Sequence, residues 1–307
     1  MLSLLIQNVL KIKYANLERR KKLREITGKQ ITDAIKKLVI EANYKLDDAL
    51  IKKFKESIEK EKSETGKRIL EQIIENAEIA KEGVYPLCQD TGASVIFAYV
   101  GEKIVFKENG NGESILVSAI NKGISESYVE GYLRKSIVRD PFDRVNTKNN
   151  TPAMIVTEIV TGDKMKLVYM TKGGGCENMS LLKVLAPAAG LEGVKQFVVD
   201  TVENAHANPC PPVFVGVGVG GNFEKCAYLA KKALMRGINE KNPNPFYSEM
   251  EEDLLERINK TGVGPQGFGG TITAIAVHVE AFPCHIASLP VAVNIDCHSH
   301  RHKEIIL

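Results

Sequence analysis

Over residues 25–81 the apolar positions recur every three to four residues. Ile31, Ala34, Ile35, Leu38 and Val39 form one such series, and Ile69, Ile73, Ala77 and Ala80 another. That period predicts helices, and no Pro and only two glycines, Gly28 and Gly66, interrupt the segment. The pattern changes after Gly83. Short runs rich in β-branched and aromatic residues predict strands over 94–100, 153–160 and 166–170, and strand character returns at 272–279 and 291–295. Helices are expected over 115–133, 180–189, 191–204 and 223–236. The fold class is mixed α/β (α+β): a helical N-terminal layer, then a β-sheet body flanked by helices. No internal repeat or low-complexity linker divides residues 25–307, which favours one unit there.

Three glycine-rich stretches, 167–179, 213–223 and 261–272, read as tight turns in which backbone approaches a ligand. Their N–H groups could hold a small carboxylate or phosphate. None has the spacing of a dinucleotide or P-loop motif.

The 307 residues are 44% apolar and 26% charged, a globular balance that excludes disorder and collagen-like structure. No run approaches the ~20 apolar residues that span a bilayer. The net charge of +3 is unevenly placed. Residues 1–24 hold seven Lys/Arg against one acid, Glu18, so the remainder carries −3. Residues 1–24 are therefore expected to be a basic extension, disordered or weakly helical, with an amphipathic anchor as the alternative. Its basic cluster follows its apolar stretch, unlike a secretory signal. The mildly acidic remainder gives no sign of a nucleic-acid partner.

Six cysteines in so long a chain are too sparse for a disulfide scaffold, and no C-x-x-C occurs. Free thiols in a reducing, cytoplasmic setting are expected. Cys226, in a helical apolar context, reads as core, and Cys176, after three glycines, as a bystander near a site. Cys88, Cys210 and Cys297 sit in turns beside polar, Pro or Gly residues, where packing does not explain them; Cys284 is ambiguous. Five of six histidines follow residue 277, and 297–302 (CHSHRH) reads either as a metal tract or as a solvated strand end.

Five phrases carry more specific information. They are Cys88-Gln89-Asp90-Thr91-Gly92, Lys172-Gly173-Gly174-Gly175, Asn208-Pro209-Cys210-Pro211-Pro212, GPQGFGG at 264–270 and IASLPVAVNIDC at 286–297. In this order, over roughly 25–302, they resemble the α subunit, or N-terminal region, of iron–sulfur class I fumarate hydratase and L(+)-tartrate dehydratase. The resemblance implies a 4Fe-4S cluster on Cys88, Cys210 and Cys297, 122 and 87 residues apart in sequence. Three ligands leave one iron open as a Lewis acid. It further implies that Gln89, Asp90, Arg134, Gly175 and His285 bind substrate, with Asp90 the acid/base candidate. Cys176 stands where relatives commonly carry Ser.

The resemblance implies a hydro-lyase that reversibly hydrates fumarate to malate, a tricarboxylic acid cycle reaction, with L-tartrate dehydration as the alternative. A non-catalytic small-anion-binding subunit is the reading from a different class. The family's remaining substrate-binding groups lie in a further region of about 170–200 residues. A β subunit is therefore expected to complete the site, in a heterotetramer with no nucleic-acid or membrane partner.

Overall fold

A computed structural model describes residues 23–107 and 114–307. The expected basic extension lies outside the described residues except for its last two. Along the chain the elements begin β1 (Arg24–Thr27), α1 (Gly28–Tyr44), α2 (Asp48–Lys60), α3 (Glu64–Lys81), β2 (Ala93–Gly101), β3 (Ile104–Lys107) and α4 (Ile115–Glu130). Next come β4 (Met154–Val160), β5 (Met165–Lys172), α5 (Gly174–Glu177), β6 (Leu181–Leu185) and α6 (Gly190–Ala205). The chain continues with β7 (Val213–Gly220), α7 (Phe223–Ala233), α8 (Pro245–Lys260), β8 (Ala274–Phe282), β9 (Leu289–Asp296) and β10 (His302–Ile306). The mixed α/β class and the N-terminal helices agree with the sequence reading.

These elements group into two compact units. Of the described residues, the first takes 23–40, 94–107, 114–170 and Lys303–Leu307, and the second takes Glu41–Ala93 and Thr171–His302. The chain passes between them repeatedly, and none of these passages is a Gly/Ser-rich linker.

In the first unit a four-stranded sheet runs β10-β5-β2-β4, and a two-stranded sheet pairs β1 with β3. Helix α1 starts at a capping box. The Gln30 side chain accepts from the Thr27 amide, and Thr27 Oγ1 accepts from the Gln30 amide. The helix expected to begin at residue 25 is therefore preceded by strand β1. Helix α4 crosses α1 closely, because a Cβ on Gly123 would lie 2.8 Å from Thr32 O.

The second unit holds the sheet β6-β9-β7-β8, with β7 parallel to β8 and antiparallel to β9. Alternate residues of β7 and β9 point to opposite faces. Val213, Val215, Val217, Val291, Val293 and Ile295 pack with Val198 of α6 and Leu254 of α8 on one face. On the other, Ala292 packs with Cys226 and Ala230 of α7. Cys226 is thus a core residue, as its sequence context indicated.

Further elements differ from expectation. Residues 180–189, expected as helix, form β6 and a 3-10 turn, Pro187–Ala189. Leu181 pairs with Val293 and Leu185 with Leu289, and Pro187 blocks helix propagation. The glycine stretch 213–223 is mostly strand β7 rather than a ligand-facing turn. A Cβ on Gly216 would lie 2.0 Å from Ala230 O, and one on Gly218 2.1 Å from Cys226 O, so the glycines let α7 lie directly on the strand. Helix α8 was not anticipated, although Asn244 caps it by accepting from the Phe246 amide and Pro245 is its first residue.

Candidate active site

The antiparallel pairing of β7 with β9 sets Phe214 opposite Asp296. Cys210, just before β7, and Cys297, just after β9, therefore emerge at one end of the sheet. His298 ties them: its Nδ1 lies 3.0 Å from Cys210 O and 3.2 Å from Gln266 Nε2. Gln266 Nε2 also donates to Pro211 O at 2.8 Å. Cys210 has φ +56°, a left-handed conformation held by this lattice of bonds around its loop.

The third turn is joined to the same end. Arg301, buried four residues past Cys297, donates from Nη1 to Asp90 O at 2.7 Å. The Asp90 carboxylate accepts from the amides of Gly92 (3.0 Å) and Gly174 (2.9 Å), linking Cys88-Gln89-Asp90 to the Gly173–Gly175 turn. Gly92 has φ +56°, and a Cβ there would collide with Lys172 O at 2.4 Å. Gly175 in turn faces the 208 carbonyl, 3.0 Å from where its Cβ would be. All five phrases singled out in the sequence are used in the second unit. Four of them, around residues 88–92, 172–175, 208–212 and 264–270, are bonded or packed around the Cys297 end of the fifth.

Beneath Cys297 lies a charged network that the sequence did not announce. Lys172 is buried and donates to Ile295 O at 2.5 Å, with Glu177 Oε2 at 3.4 Å and Asp296 Oδ1 at 3.8 Å. Burial alone would lower its pKa, but the negative charge of Asp296 and Glu177 outweighs this and raises it, so Lys172 is a cation. Burial likewise opposes ionisation of Asp296. His300, 3.0 Å from Oδ2, with Lys172 and Arg301, overcomes that and holds the acid at about 2. Cys176 is buried, and its sulfur, that of Cys297 and an Asp296 oxygen all lie within 4.8 Å of one another. The pairing of the two thiols lowers the Cys297 pKa and raises that of Cys176. Burial raises the Cys210 thiol, followed by the charges of Cys297, Cys88 and Asp90, which places these four groups in one electrostatic neighbourhood.

The donor set is suited to a cluster. Sulfurs around one tetrahedral zinc stand about 4 Å apart. Among the described residues, the one grouping tight enough for a single ion is Cys176, Asp296 and Cys297, not the three turn cysteines together. Cys88, Cys210 and Cys297, whose turns are joined, are the thiols that could hold a larger group. The histidines of the 297–302 tract take other partners. His298 faces Cys210, His300 bonds Asp296 and stacks on Phe214 at 3.9 Å, and His302 opens β10.

Arg134 and His285 both lie outside the bonded cysteine turns. Arg134 is exposed and belongs to the first unit, just after α4. His285 is exposed in the loop before β9, where its Nδ1 accepts from the Ala287 amide and Cys284 bonds Ser288 O. Strand β9 separates that loop from Cys297 by eight residues, roughly 25 Å. Gln89 is exposed beside Cys88.

In two of the glycine stretches, amides bind carboxylates of the chain itself. The amides of Thr271 and Ile272 donate to the buried carboxylate of Glu61 at 2.8 Å each, and the Gly174 amide donates to Asp90.

Comparison with known proteins agrees with this geometry. Residues 32–306 match the family described as Fumarate hydratase (Fumerase). A Methanocaldococcus jannaschii protein, provisionally named L(+)-tartrate dehydratase subunit alpha, is 39% identical over 277 residues, 89% of this chain and 95% of its own. L(+)-tartrate dehydratase subunit alpha of Escherichia coli is 35% identical over 276 residues, 89% of either chain. The Shigella boydii protein of that name is 34% identical over 282 residues, 91% of either chain. With its cysteine turns gathered at one sheet end and its similarity running through nearly the whole fold, the chain belongs to the Fumerase family of hydro-lyases.

Proposed function

We propose that this chain is the cluster-bearing α subunit of an iron–sulfur hydro-lyase that reversibly hydrates fumarate to malate. The observation carrying this reading is the junction of the Cys88, Cys210 and Cys297 turns through His298, Arg301 and the Asp90 carboxylate. Cys88, Cys210 and Cys297 would hold a 4Fe-4S cluster. When bound, it supplies a Lewis acid that polarises a substrate oxygen.

Hydration adds hydroxyl to one carbon of the double bond and a proton to the other, beside a carboxylate. Asp90 is the acid/base group on this chain, its carboxylate steered by the Gly92 and Gly174 amides. Gln89, beside Cys88, contacts substrate. Gly175 lines the pocket with backbone. Arg134 binds a substrate carboxylate through its paired guanidinium donors. His285 stands a strand's length from Cys297, so it serves the site of a second copy of the chain.

A β subunit supplies the remaining groups, in keeping with relatives named subunit alpha, and the assembly is a cytoplasmic heterotetramer. No helix among the described residues is long and apolar enough to cross a membrane. The names of those relatives favour a second reading, L-tartrate dehydration at the same site.

Anaerobic reconstitution with iron and sulfide tests the reading. The expected product is brown, binds iron, and loses both properties in the Cys88→Ser/Cys210→Ser/Cys297→Ser variant. Iron retained by that variant would refute it. With the β subunit added, fumarate hydration against tartrate dehydration decides the substrate.

A further inference from the structure

We propose that Cys176 and Cys297 are a redox pair that closes an intrachain disulfide in the metal-free chain and so protects Cys297 from irreversible oxidation. The pairing stands on geometry. It rests on the proposed function only where iron is taken to cover Cys297.

The two sulfurs already lie within 4.8 Å of each other. A disulfide bond is about 2.05 Å long, so closure asks each sulfur to move by little more than 1 Å. The structure can supply that shift. Cys176 sits in the one-turn helix α5, directly after Gly173-Gly174-Gly175, where the backbone carries no side chains to obstruct it. Its other contacts, Gly173 O at 3.4 Å and Asp296 Oδ1 at 3.6 Å, are long sulfur bonds that cost little to give up.

Hydrogen peroxide is the oxidant. The Cys297 sulfur attacks a peroxide oxygen, the O–O bond breaks, and a sulfenic acid and one water result. The Cys176 sulfur then attacks the sulfenic sulfur, displacing its oxygen as a second water. Two thiols are oxidised, one peroxide is reduced, and both thiol protons end in water. Without Cys176 the sulfenic acid meets further peroxide and becomes a sulfinic acid, which reductant does not reverse.

The test uses the full chain, stripped of iron by a chelator under reductant, then exposed to peroxide and digested without reductant. A peptide joining Cys176 to Cys297, released by dithiothreitol, is expected. Recovery of Cys297 as sulfinic acid beside a free Cys176, or joined to Cys88 or Cys210, would overturn the pairing. In Cys176→Ser, Cys297 should lose its dithiothreitol-recoverable fraction; unchanged recovery would overturn the protective role. In chain loaded with iron and sulfide the cross-link should be missing until iron is removed. A cross-link formed despite bound iron would uphold the pairing and count against Cys297 as an iron ligand, so the two readings fail separately.

Discussion

Glu61 shows at the residue scale what a glycine-rich loop can conceal. Its carboxylate accepts from Ser63, Thr271 and Ile272, and it is 2% exposed. Glu61→Ala would strand buried amides without acceptors and should cost about 3 kcal/mol, read from urea unfolding at neutral pH. His278 offers a pH-dependent counterpart. Burial, and then the nearby positive charge of Arg236, lowers it from 6.5 to about 4. The folded chain therefore resists a proton that the unfolded chain accepts. The His278 contribution to stability should be level above about pH 6.5 and fall as pH drops toward 4, by roughly 3 kcal/mol, with His302, lowered to about 3, adding to the same acid loss. His278→Gln should flatten that part of the unfolding profile. At this scale the turn placement of Cys88, Cys210 and Cys297 was legible, because each stands among Pro, Gly or polar residues. Lys172 and Asp296 were not. Their significance comes from meeting below Cys297, and no local spacing records a contact between residues 124 positions apart.

Among the elements, β7 was hardest to read. Its glycines suggested turns because glycine weakens a strand unless a neighbour must come close. Here the neighbour is α7, whose carbonyls occupy the space where Cβ atoms of Gly216 and Gly218 would be. Gly218→Ala should separate helix from strand and cost about 2 kcal/mol or more, measured as a lower thermal midpoint. Strand β6 was missed for a related reason. Leu181, Leu182, Val184 and Leu185 suit either period over so short a run, and only pairing with β9 selects the strand. The N-terminal helices were legible because their apolar series run through many turns without Pro.

For the whole molecule, sequence indicated the fold class but not the grouping into two units. Each unit is assembled from separated stretches, so no compositional boundary marks it. The position of His285 adds a prediction at this scale. If it serves a second copy, His285→Ala and Cys297→Ser chains, each inactive with the β subunit, should recover a measurable fraction of activity when co-assembled. No recovery would place His285 outside the reaction. The bond from Glu61 to the 271–272 amides spans 210 positions. Contacts of such long range are slow to form, since the entropy of closing the intervening chain is spent before they return any stability. Refolding should therefore show helical circular dichroism from α2 and α3 well before the 261–272 amides gain protection from hydrogen exchange, making this loop a late clock of native assembly.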